Sequence, residues 1–217
     1  GSLAAGDFNA DGRTDLAVGA EDGSFQDGHV YIFYNDGSIP TTAATADVII
    51  DGEANSQLGS PLIPGDFNAD GKIDLAVGAK GYSSNAGRVY LFYNDGSYPT
   101  TAVTADVIIT GEANSQFSSS LASGDFNADG KTDLVVGARG YSTNTGRAYL
   151  FYNDGSIPTT AATADVIIDG EASGYFGYSL VSGDFNADGR TDFAVGSYTY
   201  ASNAGRVYLF YNDGSIP

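Results

Sequence analysis

Seven residues, Gly-Asp-Phe-Asn-Ala-Asp-Gly, occupy positions 6–12 and return unchanged at 65–71, 124–130 and 183–189, each time followed three residues later by a further Asp. Oxygen-bearing side chains therefore fall at loop positions 1, 3, 5 and 9 four times over. The sets are Asp7, Asn9, Asp11 and Asp15; Asp66, Asn68, Asp70 and Asp74; Asp125, Asn127, Asp129 and Asp133; and Asp184, Asn186, Asp188 and Asp192. Alternate residues of a tight loop point inward, and three carboxylates with one amide suit a hard cation that takes ~6–8 oxygens at flexible geometry. Ca²⁺ meets that description ahead of Mg²⁺, which demands a stricter octahedron. The main-chain carbonyl at position 7 (Arg13, Lys72, Lys131, Arg190) is the fifth expected ligand. The twelfth position, a bidentate Glu in an EF-hand, is Val18, Val77, Val136 or Val195 here, so the loop is not an EF-hand. The plain alternative is an acidic Asp-Gly hairpin without metal, and four identical copies weigh against it.

Other chemistry has little support. There is no cysteine, which excludes zinc-thiolate sites and a Cys nucleophile, and His29 is the only histidine. A formal net charge of -18 argues against nucleic acid or an anionic membrane as partner and suits a cation binder. No apolar run reaches the ~18 residues of a membrane span, so no membrane insertion is expected. No signal peptide is visible in the chain, and Gly1-Ser2 reads as a cloning remnant ahead of the aligned repeats. The expected answer to the enzyme question is no.

The elements that must position these loops repeat with the same period, 59 residues. In the second copy, Leu62 to Phe67 and Ile73 to Ala79 read as two antiparallel strands joined by the acidic loop. A polar connection follows from Lys80 to Gly87, then a third strand, Arg88 to Tyr93, apolar on both faces. A break at Asn94-Asp95-Gly96-Ser97 leads through a Pro-Thr link to a fourth strand, Asp106 to Ile109. Four short strands, apolar on both faces, describe a sheet covered on both sides by copies of itself, which predicts an all-β propeller. A β-sandwich would bury each sheet on one face only. One propeller domain over 1–217 is expected, in repeats of approximately 3–61, 62–120, 121–179 and 180–217, the last lacking its outer strand, for fifteen strands in all.

Strand alternation places the acidic loops and the Asn-Asp-Gly links at one end of each blade. The other end carries Tyr82, Arg88, Tyr141, Arg147, Tyr198 and Arg206, the candidates for holding a sugar or peptide, with Tyr200, Tyr175, Glu53, Asn55, Gln57, Glu112, Asn114, Gln116 and Glu171 beside them. Blade-to-blade packing is the competing role for these residues.

With loop, strands and period in hand, the chain resembles the FG-GAP repeat proteins of the integrin-alpha-like propeller type. The Phe-Gly element is Phe176-Gly177, with Leu58-Gly59 and Phe117-Ser118 in the earlier copies. The Gly-Ala-Pro element is Gly19-Ala20-Glu21, Gly78-Ala79-Lys80, Gly137-Ala138-Arg139 and Gly196-Ser197-Tyr198, always without its proline. The resemblance implies about four Ca²⁺ sites including the position-7 carbonyl, an extracellular or cell-surface location, and a binding or adhesion scaffold whose ligands sit away from the calcium loops. Such propellers usually have more blades than the four present, so either one chain closes as a four-bladed ring or the chain is a homo-oligomer sharing a larger ring. A carbohydrate-binding lectin on the same fold, and a purely structural or engineered propeller with no ligand beyond Ca²⁺, are the alternative functions. Partners would be an extracellular protein or a glycan.

Overall fold

The computed structural model describes residues 1–21, 26–213 and 216. Its strands form four antiparallel meanders. Blade 1 holds β1 (Ser2–Gly6), β2 (Asp15–Ala20), β3 (His29–Phe33) and β4 (Val48–Asp51). Blade 2 holds β5 (Leu58–Gly65), β6 (Asp74–Ala79), β7 (Arg88–Phe92) and β8 (Val107–Thr110), and blade 3 holds β9 (Phe117–Gly124), β10 (Asp133–Ala138), β11 (Arg147–Phe151) and β12 (Val166–Asp169). Blade 4 has three strands, β13 (Phe176–Gly183), β14 (Asp192–Ser197) and β15 (Arg206–Phe210). Among the described residues the expected fifteen strands and the three-stranded last blade are thus present, and the fold is an all-β array of propeller blades.

The doubly apolar strands end where double burial requires them. β6 and β10, Asp-Leu-Ala-Val-Gly-Ala and Asp-Leu-Val-Val-Gly-Ala, are buried at every position because a blade lies on each side. β2 has the same composition but buries only alternate residues, since one of its faces lacks a neighbour. The first strands β1, β5, β9 and β13 pack successively against one another, and the core is divided into three clusters that each join adjoining blades. Phe126 of blade 3, for instance, meets Phe193 of blade 4 edge-on at 5.4 Å.

Element boundaries differ from the periodicity in three respects. β5, β9 and β13 start at Leu58, Phe117 and Phe176, ahead of the expected repeat boundaries at 62, 121 and 180. Each crosses a bulge, located at Leu58/Ser60 and Phe176/Ser179 in two blades and opposite Gly137/Ala138 in the third. The fourth strands run one residue later than expected, Val107–Thr110 instead of 106–109. The first strand begins at Ser2, ahead of the expected repeat start at residue 3, and the Ser2 hydroxyl accepts the Leu62 amide at 3.0 Å.

The bulge gives the Phe-Gly element a physical meaning. Gly59 has φ +113, and a Cβ added to the facing Gly19 would fall 1.6 Å from the Gly59 carbonyl oxygen, so two backbones touch where no side chain fits. In blade 3, Ser118 takes the place of that glycine at φ 71, and its hydroxyl accepts the Ala79 amide of blade 2 at 3.0 Å. A hydrogen bond there stands in for the close approach.

Candidate functional site

The acidic loops are β-hairpin connections between the first and second strands, closed by the Gly6–Asp15 pair and its equivalents. Their winding is set by side chains accepting backbone N–H groups. Asp7 accepts from Asp11 at 3.0 Å and Gly12 at 2.8 Å, Asn9 accepts from Asp11 at 3.0 Å, and Asp11 accepts from Arg13 at 2.9 Å. The second loop repeats these bonds at 3.0, 2.9, 3.0 and 2.9 Å. In the third loop Asp125, Asn127 and Asp129 do the same, as do Asp184, Asn186 and Asp188 in the fourth. Gly12, Gly71, Gly130 and Gly189 sit at φ 84–85, and the preceding Ala10, Ala69, Ala128 and Ala187 are also left-handed at φ 58–61.

The ninth-position carboxylates are different from the rest. Asp15, Asp74, Asp133 and Asp192 are all buried. Asp74 accepts the Phe67 amide through one oxygen at 2.8 Å and the Asn94 amide through the other at 2.8 Å, so it ties its own hairpin to the link after the third strand. Asp15 joins Phe8 to Asn35 in the same way, Asp133 joins Phe126 to Asn153, and Asp192 joins Phe185 to Asn212. Burial pushes the carboxyls of Asp74 and Asp133 up to about 6, aided by the neighbouring Asp70 and Asp129 charges, against the pull of the amide bonds. The position-7 side chains close the same end: Arg13, Lys72 and Arg190 donate to the carbonyls of Asn35, Asn94 and Asn212 at 3.0–3.1 Å.

An ionised carboxylate offers about four lone-pair sites, so accepting one or two amides leaves room for a cation. The all-oxygen donor set therefore fits Ca²⁺ chemically. As the side chains stand, however, they are turned to the backbone, and among the described residues no three Asp, Glu, His or Cys side chains converge into a metal cage.

At the opposite end the tyrosines and arginines form closed sets. Arg88 stacks on Tyr82 with its guanidinium carbon 3.6 Å from the ring centroid, and both Arg88 and Tyr90 donate to Glu53 Oε1 at 2.5 Å. Arg147 lies 3.7 Å over Tyr141 and shares Glu112 with Tyr149. Arg206 lies 3.6 Å over Tyr200 and shares Glu171 with Tyr208. Tyr198 is not the partner of Arg206; it packs against Tyr178 at 4.4 Å and Tyr175 at 5.2 Å. In blade 1 His29 replaces the arginine and meets Asp51 at 3.0 Å.

Two groups of residues were not singled out by sequence reasoning. The asparagine of the Asn-Asp-Gly link in blades 2, 3 and 4 crosses to the preceding blade: Asn94 Nδ2 donates to the Asp7 carbonyl at 3.2 Å, Asn153 to Phe67 at 3.0 Å and Asn212 to Asp125 at 3.1 Å. Its return at every period was the available signal. The others are Ser83, Ser84 and Asn85, which with their copies at 142–144 and 201–203 form short left-handed turns. Nothing in a polar run announces that winding.

Four-stranded meanders stacked through their first strands, each pinned by an acidic hairpin, define a repeat propeller. The chain belongs to the FG-GAP repeat family: the FG-GAP-like repeat profile matches residues 7–77 and 66–136, and the FG-GAP repeat profile matches 176–210. It is 33% identical over 178 residues to the phosphatidylinositol-glycan-specific phospholipase D of Bos taurus, covering 74% of this chain and 21% of that protein. It is 32% identical to integrin alpha-PS2 of Drosophila melanogaster, with 75% and 12% covered. Similarity to human integrin alpha-7 is 35%, with 70% and 13% covered. The chain thus spans about a fifth or less of the length of these relatives. Among the described residues no helix is long and apolar enough to cross a membrane.

Proposed function

We propose that the chain is a calcium-stabilised binding scaffold of the integrin-alpha-like type, working outside the cell or at its surface and carrying no catalysis of its own. The observation that carries this reading is the fourfold return of one oxygen-only donor set, with its backbone bonds reproduced from loop to loop. On binding, the carboxylates at positions 1, 5 and 9, the amide at position 3 and the position-7 carbonyl would supply the oxygens, and the ion would offset like charges gathered in each hairpin. At free Ca²⁺ about tenfold above the dissociation constant, each loop would gain about 1.4 kcal/mol. The adhesion part rests on similarity to the two integrin alpha chains and extends to an extracellular protein or glycan as ligand.

The test is a thermal melt of the same preparation in Ca²⁺, in Mg²⁺ and in excess chelator. Ca²⁺ should raise the melting temperature well above the chelated sample, and Mg²⁺ should raise it less; an identical melt in chelator would sink the calcium reading. A second reading, a propeller with no ligand beyond Ca²⁺, is favoured by the closed Tyr82–Arg88–Glu53 set and its copies, which leave few polar atoms for a guest. Binding on glycan or matrix-protein arrays that is lost in Tyr141→Ala would set it aside.

A further inference from the structure

The sequence contains twelve Asp-Gly pairs, and such a pair has a chemistry of its own. The glycine nitrogen attacks the aspartyl Cγ and closes a five-membered ring, with no glycine side chain to hinder the approach. The N–Cγ bond forms, a Cγ–O bond of the protonated carboxyl breaks, and that oxygen leaves as water, taking the amide proton with it. Hydrolysis of the succinimide at its α-carbonyl returns one water and leaves the main chain running through Cβ and Cγ. The product is an isoaspartyl residue, longer by one backbone atom, and nothing is oxidised or reduced. The reaction needs an amide able to give up its proton and a carboxyl able to lie over the nitrogen.

The pairs at 22–23 and 213–214 extend outside the described residues; the others divide by these two requirements. In the four hairpins the position-1 carboxylate holds the glycine amide: Gly12 donates to Asp7 at 2.8 Å, and Gly71, Gly130 and Gly189 donate to Asp66, Asp125 and Asp184 at 2.9 Å. An anionic acceptor favours the protonated amide and opposes the negative charge that builds on nitrogen during attack. The carboxyl is held too, since Asp11, Asp70, Asp129 and Asp188 each accept the amide two residues on at 2.9 Å. Gly52 and Gly170 are tied differently, donating to the Gly28 and Gly146 carbonyls at 3.0 Å. Gly28 is itself buried, and the Asp27 carboxylate before it accepts the Asn55 amide at 2.8 Å. The links after the third strands are the contrast. Among the described residues no acceptor holds the amide of Gly37, Gly96 or Gly155, and none donates to the carboxylates of Asp36 and Asp154. Asp95 accepts only the Ser97 amide, at 3.3 Å, which folds its carboxyl across the Gly96 peptide. Exposure does not separate the two sets, because Asp11 and Gly12 are open to solvent just as Asp95 and Gly96 are.

We propose that Asp36, Asp95 and Asp154 are sites of spontaneous isoaspartyl modification, and that the bond on each hairpin glycine keeps Asp11, Asp70, Asp129 and Asp188 out of the same reaction. The position of the links gives the modification a consequence. Asn94, just before Asp95, donates to the Asp7 carbonyl of blade 1, and Tyr98, just after, packs in the cluster that joins blades 1 and 2. Asn153 and Ile157 flank Asp154 in the same way against blade 2. An extra backbone atom between two fixed anchors lengthens the segment, so ageing at a link acts on a blade junction.

The test is timed incubation of the 217-residue chain, folded in Ca²⁺ and unfolded in concentrated urea, followed by peptide mapping with electron-transfer fragmentation, which tells isoaspartyl from aspartyl residues. In urea all the Asp-Gly pairs should react at similar rates. In the folded chain Asp36, Asp95 and Asp154 should keep their urea rates, while the hairpin pairs should slow by about tenfold or more, the effect of one pKa unit or more at the amide. Asp51 and Asp169 lie outside the hairpins, so slowing there as well separates the tied amide from a bound cation as the cause. Links slowed as much as the hairpins overturn the proposal, and so do hairpin pairs, or Asp51 and Asp169, that react as fast as the links. Asp95→Glu, which needs a larger ring, should lose the signal at its own position and leave those at Asp36 and Asp154; a signal that persists at 95 also overturns the proposal.

Discussion

Asp74 and Asp133 are buried carboxylates, each with both oxygens engaged by backbone amides and an acidic loop at its back. Their folded-state values near 6 stand above the ordinary 3.8, so between those limits the native chain holds protons that the unfolded chain has released. Stability from this source is present at low pH and is lost as pH rises through about 6. Metal-free protein should therefore melt at a higher temperature at pH 5 than at pH 7, and the rise should shrink in the Asp74→Asn, Asp133→Asn double variant. Those variants should themselves be less stable by about 1–3 kcal/mol, since an amide NH₂ placed where a carboxylate oxygen accepts Asn94 or Phe67 faces donor with donor. The residue types of these sites were legible because alternation in a short acidic loop has few uses. What was not legible is that the ninth-position Asp binds the link after the third strand: Asn94 is twenty residues from Asp74, a pairing that register creates and spacing conceals. Nor does an Ala at loop position 4 suggest left-handed backbone, which Ala10 adopts at φ 58 against its steric preference.

At the scale of the strand and turn, glycines that look alike carry different burdens. Gly12 sits at φ +85 with open space around its missing Cβ, so Gly12→Ala meets only the left-handed backbone penalty of about 1–2 kcal/mol. Gly28 sits at φ +80 with the Leu58 carbonyl oxygen 2.1 Å from where a Cβ would lie. Gly28→Ala should cost about 3 kcal/mol or more, because either the bridge between blades opens or both backbones move. Urea unfolding midpoints of the two variants measure the contrast; equal losses would show that the blade contact contributes little. Strand identity was readable from period-2 alternation of Val, Leu, Tyr and Phe, and β7 and β11 lie where that pattern places them. Strand starts were not, because the apolar run begins only at Leu62 while a bulge carries β5 back through Pro61 and Ser60 to Leu58. The turn at Tyr82–Asn85 read as a plain polar connection for a similar reason: Ser and Asn tolerate many backbones, and the stacking of Arg88 on Tyr82 is a tertiary contact that selects one.

For the whole molecule, a charge of -18 on 217 residues produces self-repulsion that acid loops and links share along one end of every blade. Raising NaCl from about 10 mM to about 150 mM shortens the screening length from ~30 Å to ~8 Å, so metal-free protein should gain a few degrees in melting temperature. A flat response would show that the loops are neutralised locally. The number of blades was legible from the period, whereas the state of the array's ends was not. Phe8, Phe67 and Phe126 are 0–1% exposed beneath the following blade while Phe185, in an identical heptapeptide, is 44% exposed. Leu3 at the other end is 69% exposed although Leu62 and Leu121 are buried. Identical residues acquire different surroundings only through their place in the stack. Contacts between blades recur from one junction to the next at one constant step along the chain, as Ser123 to Pro64 and Ser182 to Ser123 illustrate. An in-frame duplication or deletion of one such step in the coding sequence, begun at any codon, would restore each surviving junction and leave both terminal faces as they were. The length of this array is therefore free to drift by recombination without any new interface having to be invented.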